Sequence, residues 1–281
     1  PTEASAGTPS STTTSQRSGG QSQAQRRLQL AMRQQERNHR ILSPPSFHAC
    51  GEGRPIVVTE HMISVPLNRT DPKRSRLDVY FTIAEKVKSD SERRWFERLA
   101  TRSPTQRAGD YVNHAGMESA DDMILYLQGG PGFGAPTPVV GIGLGSTSSW
   151  AGAALDTYKR IVLMDQRGTG RSSPVTKQTL EHRFPDLFIL DEVSEEVASS
   201  SEKETLVEGA VVSAVDYLSH FRADNIVLDA EDIREALLVP METDDVVRPW
   251  GAALGQSFGG FCMMTYLSQI NHPPKVCLLT G

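Results

Sequence analysis

Cysteine is scarce in this chain: among 281 residues only Cys50, Cys262 and Cys277 occur. An odd count, wide spacing and no C-x-x-C exclude a disulfide framework and a cysteine zinc cluster, and fit a reducing compartment. Long apolar runs are missing too. None approaches the roughly eighteen residues that a membrane helix requires, so a membrane-spanning helix is excluded. Charge of either sign is not in large excess, with 29 Lys and Arg against 34 Asp and Glu for a net −5. Nothing global therefore favours nucleic acid or an anionic membrane as a partner. Neither G-x-G-x-x-G nor G-x-x-x-x-G-K-[ST] spacing occurs, which disfavours nucleotide binding, and no internal repeat is visible. The chain starts at Pro1 rather than Met, and residues are expected to precede it.

What is present changes character near residue 50. Pro1 to Gln25 is rich in Ser, Thr, Gln and Gly and holds no Leu, Ile, Val or aromatic residue. Such a composition cannot bury a core, so a disordered tail is expected over residues 1–50 and a folded domain over 51–281. Gln23 to Arg40 carries five arginines against Glu36. That stretch suits a short basic helix of mitochondrial-presequence type as a second reading to a cytoplasmic location; its poor apolar spacing favours the plain polar tail.

From Gly53 the pattern is that of a domain. Pro55 to Val65 and Leu77 to Ala84 read as strands, the second by strict alternation of Leu77, Val79, Phe81 and Ile83 with its other residues, and Asp71-Pro72 marks the turn between them. A polar insertion, Lys86 to Asp122, has an Arg/Glu-rich centre, Ser91 to Arg102, suited to a surface helix. Four short apolar runs follow: Met123 to Leu127, Arg160 to Met164, Trp250 to Leu254 and Lys275 to Thr280. Runs that do not alternate suit strands buried on both faces of a parallel sheet. Helical patterns lie between them. Val207, Val211, Ala214, Val215, Leu218 and Phe221 form one apolar face, and Ile233, Ala236 and Leu237 belong to a helix ending by Pro240. Strands alternating with helices predict an α/β fold with a doubly wound, mostly parallel sheet, interrupted after about its sixth strand.

Three glycine-rich segments carry the chemistry. Gly255-Gln256-Ser257-Phe258-Gly259-Gly260 follows an apolar strand and precedes a helical run, Phe261 to Ile270. This is the setting of a nucleophile elbow, where Ser257 takes a strained positive φ and residues two before and two after must be small. The following helix directs its positive end at the hydroxyl. Gln128-Gly129-Gly130-Pro131-Gly132 follows the strand Met123 to Leu127, and backbone N–H groups of such a loop can hold an oxyanion. Asp165 to Ser172, D-Q-R-G-T-G-R-S, follows the strand Arg160 to Met164. Its Asp165 and Arg167 are expected to pair and brace the neighbouring loop.

In this order and spacing the three segments resemble the proline iminopeptidase (prolyl aminopeptidase) family of α/β-hydrolases. Its His-Gly-Gly-Pro-Gly, Asp-Gln-Arg-Gly-x-Gly-x-Ser and Gly-Gln-Ser-x-Gly-Gly motifs match Gln128 to Gly132, Asp165 to Ser172 and Gly255 to Gly260. His61 to Pro66 and Asp232-Ile233-Arg234 are similar to further family stretches, so that the resemblance covers about Thr59 to Gly281. It implies a serine peptidase that releases proline or a similar residue from peptides with a free N-terminus. Ser257 would be the nucleophile, the amides of Gly130 and Phe258 the oxyanion donors, and no metal or organic cofactor is implied. Another α/β-hydrolase, an esterase or a peptidase releasing longer pieces, stays open, as does a non-catalytic hydrolase remnant.

Two departures stand out. Gln128 replaces the family's usual histidine. After Ser257 the chain contains no Asp or Glu, and its single histidine there, His272, lies in the turn Asn271-His272-Pro273-Pro274, read as a solvated residue rather than a triad base. The triad acid, the triad base and the family's cap are therefore expected to be missing, leaving the 281 residues inactive by themselves. The acidic stretch Glu181 to Glu208 is read as a solvated face and not as a substitute for the cap.

Overall fold

The computed structural model describes residue 32 and residues 37–49, 55–115, 120–138, 149–188, 211–238 and 248–281. These build an α/β layer structure around one sheet of eight strands. In chain order the strands are β1 (Arg40–Ile41), β2 (Ser46–His48), β3 (Ile56–Pro66), β4 (Arg76–Lys86), β5 (Met123–Leu127), β6 (Arg160–Met164), β7 (Ala252–Gln256) and β8 (Val276–Thr280). Across the sheet they lie β1-β3-β4-β6-β5-β7-β8, with β2 also paired to β3. The half made of β6, β5, β7 and β8 is parallel. An antiparallel half, β1 to β4, joins it through β6. The mixed sheet matches the expected α/β-hydrolase core. Its last strand, read as the sixth, is the eighth because β1 and β2 are too short to show as periodic runs.

Those two strands also move the boundary of the tail. The composition predicts a tail as far as residue 50, yet Arg40–Ile41 and Ser46–His48 are hydrogen-bonded to β3, and Ile41 is fully buried. Composition did not reveal this, since two residues of strand carry no period. The rest of the proposed tail lies outside the described residues, apart from Met32.

Helices cover both faces of the sheet: α1 (Asp90–Leu99), α2 (Pro104–Ala115), α3 (Trp150–Thr157), α4 (Lys177–Arg183), a helical stretch at 211–219, α5 (Ala223–Leu237) and α6 (Phe258–Gln269). The period of two in β5 sorts its side chains between two cores. Met123, Leu125 and Leu127 join the larger one with Ile226, Ile233, Met263 and Tyr266 from α5 and α6, whereas Ile124 and Tyr126 face Ala151, Ala154 and Leu155 of α3. The polar insertion holds two helices rather than one, and Phe96, Leu99, Ala108 and Tyr111 anchor them to the larger core. Burial on both faces holds for β5 and β6. It fails for β8, whose Val276, Leu278 and Leu279 are exposed, as are Phe261, Met264 and Leu267 of α6. The apolar face expected at 207–221 is likewise exposed at Val211, Val215 and Leu218, with only Ala214 buried; residues 189–210 lie outside the described residues.

Buried ion pairs tie the layers together. Arg167 has no exposed side-chain surface and grips Asp229 of α5 through Nε, 2.7 Å, and a second nitrogen. It also donates to the carbonyls of Pro66, Leu67 and His220. Arg69 reaches Asp229 and Asp232, and Arg37 reaches Asp232 and Glu235. One helix face thus collects the N-terminal segment, the β3–β4 turn and the loop after β6.

A second buried feature makes the β1–β3 junction sensitive to acid. His39 Nε2 lies 3.0 Å from His61 Nδ1, and His61 Nε2 lies 2.7 Å from Thr59 Oγ1. The imidazoles stack on each other and on Phe81, with the edge of Tyr111 against His61. The polar groups nearest this pocket on α2 are already engaged. Tyr111 donates to Glu85, and Arg107 donates to the Ile41 carbonyl. Burial pushes His39 down from 6.5 to about 4, while burial and the neighbouring His39 hold His61 well below its usual value. Both rings are favoured as neutral in the fold, so their contribution is complete above about pH 6.5 and is lost as pH falls from there towards 4. For His39 the loss between pH 7 and pH 5 is about 2 kcal/mol. Urea titrations at the two pH values should show it as a lower midpoint at pH 5, reduced in His39→Gln. An unchanged midpoint would contradict the role assigned to the pair.

Candidate active site

The sequence around Ser257 folds as its glycines require. Strand β7 ends at Gln256, α6 begins at Phe258, and Ser257 between them has φ 49° and ψ −114°. That is left-handed space which a non-glycine residue enters only when its surroundings impose it. Two contacts impose it here. The Ser257 amide donates to the Thr280 carbonyl of β8 at 2.7 Å, and its carbonyl accepts from the Phe261 amide at 3.2 Å. A Cβ on Gly255 would overlap the Gly259 carbonyl, and one on Gly259 would overlap the Leu127 carbonyl. The small residues are thus explained by the closeness of α6, β7 and the end of β5.

The glycine loop after β5 lies directly against this elbow. A Cβ added to Gly129 would stand 3.1 Å from Ser257 Cβ and 3.0 Å from the Gln256 carbonyl oxygen. Gly130 and Gly132 have φ of 132° and 102°, and the Gly130–Pro131 peptide is cis. Ser257 and Gly130 are solvent-exposed, and Phe258, half-buried, stacks on Phe261. Ser257, the 128–132 loop and the first turn of α6 with Phe258 therefore come together at the C-terminal edge of the parallel strands, where open α/β sheets place their ligands.

The third motif braces this arrangement in a way the sequence reading missed. Asp165 and Arg167 do not pair. Arg167 turns inward to Asp229, a longer-range partner that spacing within the motif could not reveal. Asp165 instead accepts from the amides of Ala135, 2.6 Å, and Arg171, 2.7 Å. Burial raises its pKa, and these amides oppose the rise. Gln166, 2% exposed, donates from Nε2 to the Gln128 carbonyl at 2.9 Å. Its place within the D-Q-R-G motif is a signal in the sequence, but a neutral amide carries no charge that would point to its partner.

At the position of the family's histidine, Gln128 turns its side chain to Tyr126. The Tyr126 hydroxyl lies 2.7 Å from the Gln128 amide and 2.8 Å from that of Gln256. It has one proton to give, so one amide accepts it while the other offers its NH2 to the phenol oxygen. Gln128 is thus bound within a neutral cluster and has no titrating group to present to Ser257.

His272 is not the solvated residue expected. Its Nε2 lies 2.7 Å from Glu231 Oε2, in a cluster with Arg234 and Tyr266. It sits past the far end of α6, a helix of 12 residues and so about 18 Å long, at the opposite edge of the sheet from Ser257. That separation keeps it out of reach of Ser257. Among the described residues no group of three His, Cys, Asp or Glu side chains is placed to hold a metal ion, and no helix is long and apolar enough to cross a membrane. Burial pushes the Cys262 thiol up to about 12 and that of Cys277 in the same direction, so neither is poised as a thiolate nucleophile. The acidic stretch Glu181 to Glu208 lies mostly outside the described residues.

Two known proteins are similar to this chain in sequence. No protein-family model matches the chain. The proline iminopeptidase of Aeromonas sobria is 34% identical over 223 residues, covering 79% of this chain and 36% of that protein. The proline iminopeptidase aneH of Aspergillus aculeatus is 34% identical over 145 residues, 52% of this chain and 25% of the relative. The chain spans between a quarter and somewhat over a third of the length of the curated relatives it matches. With an α/β-hydrolase core, the three motifs in register and these matches, the chain is a homologue of the proline iminopeptidases.

Proposed function

We propose that this chain supplies the nucleophile and oxyanion site of a serine aminopeptidase acting on peptides with a free N-terminus, proline being the residue released. The observation that carries the reading is Ser257 at a positive φ between strand and helix, with the Gly129–Gly130 loop packed against it. In this reading Ser257 Oγ attacks the carbonyl of the N-terminal residue, and the amides of Gly130 and Phe258 hold the oxyanion that develops. A histidine outside these 281 residues takes the serine proton and passes it to the leaving amine. The chemistry needs no metal or organic cofactor. We further propose that the chain from β1 to Gly281 belongs to the N-terminal part of the hydrolase domain and that the enzyme works in the cytoplasm, a reducing compartment where Cys262 and Cys277 stay free.

A second reading, a non-catalytic hydrolase remnant, draws on His272. It is the one histidine after Ser257, and it is engaged with Glu231 far from the elbow. Turnover of proline-β-naphthylamide separates the two. The 281-residue chain should show no more than a trace, since a triad serine without its base is a poor nucleophile. A chain extended to the relatives' length should turn over, and Ser257→Ala there should lower kcat by about 10⁴-fold or more. Turnover that survives Ser257→Ala would refute the choice of nucleophile. An extended chain that folds and remains inactive would favour the remnant.

A further inference from the structure

The glycine loop is held at both ends by two consecutive residues. At its exit, Asp165 accepts the Ala135 amide. At its entry, Gln166 donates to the Gln128 carbonyl. Asp165 is itself fixed by the Arg171 amide, and a Cβ on either Gly134 or Gly170 would press against its carboxylate. Gln166 is equally confined, buried in the turn whose Thr169 amide and hydroxyl both bond to the Gln166 carbonyl. The two residues form a frame standing behind the loop, directly after the end of β6, the strand next to β5.

The entry contact has the larger consequence for chemistry. In a trans peptide the C=O and N–H point in opposite directions. Anchoring the Gln128 oxygen on Gln166 therefore fixes the direction of the Gly129 N–H and the path along which the chain enters Gly130. Glycines have little preference of their own, and Gly130 and Gly132 are both in positive-φ space, so an external tether must choose among their conformations. We propose that Gln166, with Asp165 as its partner at the other end, is the positioning residue that holds the oxyanion loop in register with Ser257, an inference that rests on the nucleophile reading above.

The chemistry asked of position 166 is specific. It must bury a neutral group, reach a carbonyl and donate to it. A glutamate there would set a carboxylate against a carbonyl oxygen, and a methionine would fill the volume without donating. In the 281-residue chain, hydrogen exchange should show amides 129–135 of Gln166→Met exchanging about tenfold faster than in the parent, with β4 unchanged. In a chain of the relatives' length, the same variant should lower kcat on proline-β-naphthylamide about tenfold to a hundredfold with KM within about twofold. Gln166→His, which returns an N–H at similar reach, should recover part of that loss. Exchange that rises equally in β4, or a kcat that stays at the parent value, would overturn the positioning role while loss of turnover in Ser257→Ala leaves the nucleophile reading standing. If Ser257→Ala keeps full turnover, the nucleophile reading falls and the positioning role with it, while loop exchange still reports the tether.

Discussion

Asp229→Ala is expected to destabilise the fold by about 3–5 kcal/mol, enough to unfold a marginal domain. Asp229 has no exposed surface and is shared by Arg167 and Arg69. Its removal leaves the Arg167 guanidinium buried without its counter-charge, with only the carbonyls of Pro66, Leu67 and His220 as partners. Breaking one side of such a pair costs far more than the pair itself contributes, because desolvation of the remaining charge is no longer offset. The double variant Arg167→Met/Asp229→Leu should therefore be markedly more stable than Asp229→Ala. By contrast, Arg93→Ala should shift stability by well under about 1 kcal/mol, because the Arg93–Glu97 pair is half exposed on both sides. Chemical denaturation of the three variants checks the ordering. An Asp229→Ala protein as stable as the parent would mean that the network is dispensable.

Gly259→Ala is expected to cost about 3 kcal/mol or more and to open the elbow. The added methyl would overlap the Leu127 carbonyl and come within 2.9 Å of the Gln128 carbonyl oxygen. Both clashing carbonyls are backbone, so relief requires α6 to shift away from β5, carrying Ser257 away from the glycine loop. Gly109→Ala is the matched control. It lies in α2 with nothing within 4 Å of the new methyl, and it should stabilise by up to about 1 kcal/mol through helix propensity. If both glycines tolerate alanine equally, the tight approach of α6 to β5 is not what demands glycine at 259.

Legibility in the sequence followed the range of the interaction. The elbow was readable because its cause is local: Gly255 and Gly259 flank Ser257 within one turn, and the strand and helix on either side are long enough to show a pattern. β5 and β6 were readable as runs of five buried residues. Trp250 to Leu254 was placed two residues early, because Trp250 is a fully buried apolar residue just outside the strand, and hydrophobicity alone does not separate burial from pairing. β1 and β2 were lost inside a polar tail because a strand of two or three residues draws its stability from the ladder it joins, not from its own composition.

The partners of charged and polar groups were the least legible part. Arg167 was matched to its neighbour Asp165, yet it binds Asp229, 62 residues away. His272 was read as solvated, yet it meets Glu231 across 41 residues. The sequence by itself determined the fold class, the strand–serine–helix junction and the small residues it requires, since each arises from steric and periodic rules acting over a few positions. Only the tertiary structure decided which carboxylate answers which arginine, that Asp165 and Gln166 frame the glycine loop, and that His272 stands at the wrong end of α6 to serve Ser257. Those contacts are set by how α5, α6 and the sheet pack together, and packing brings into contact residues whose separation along the chain carries no trace of it.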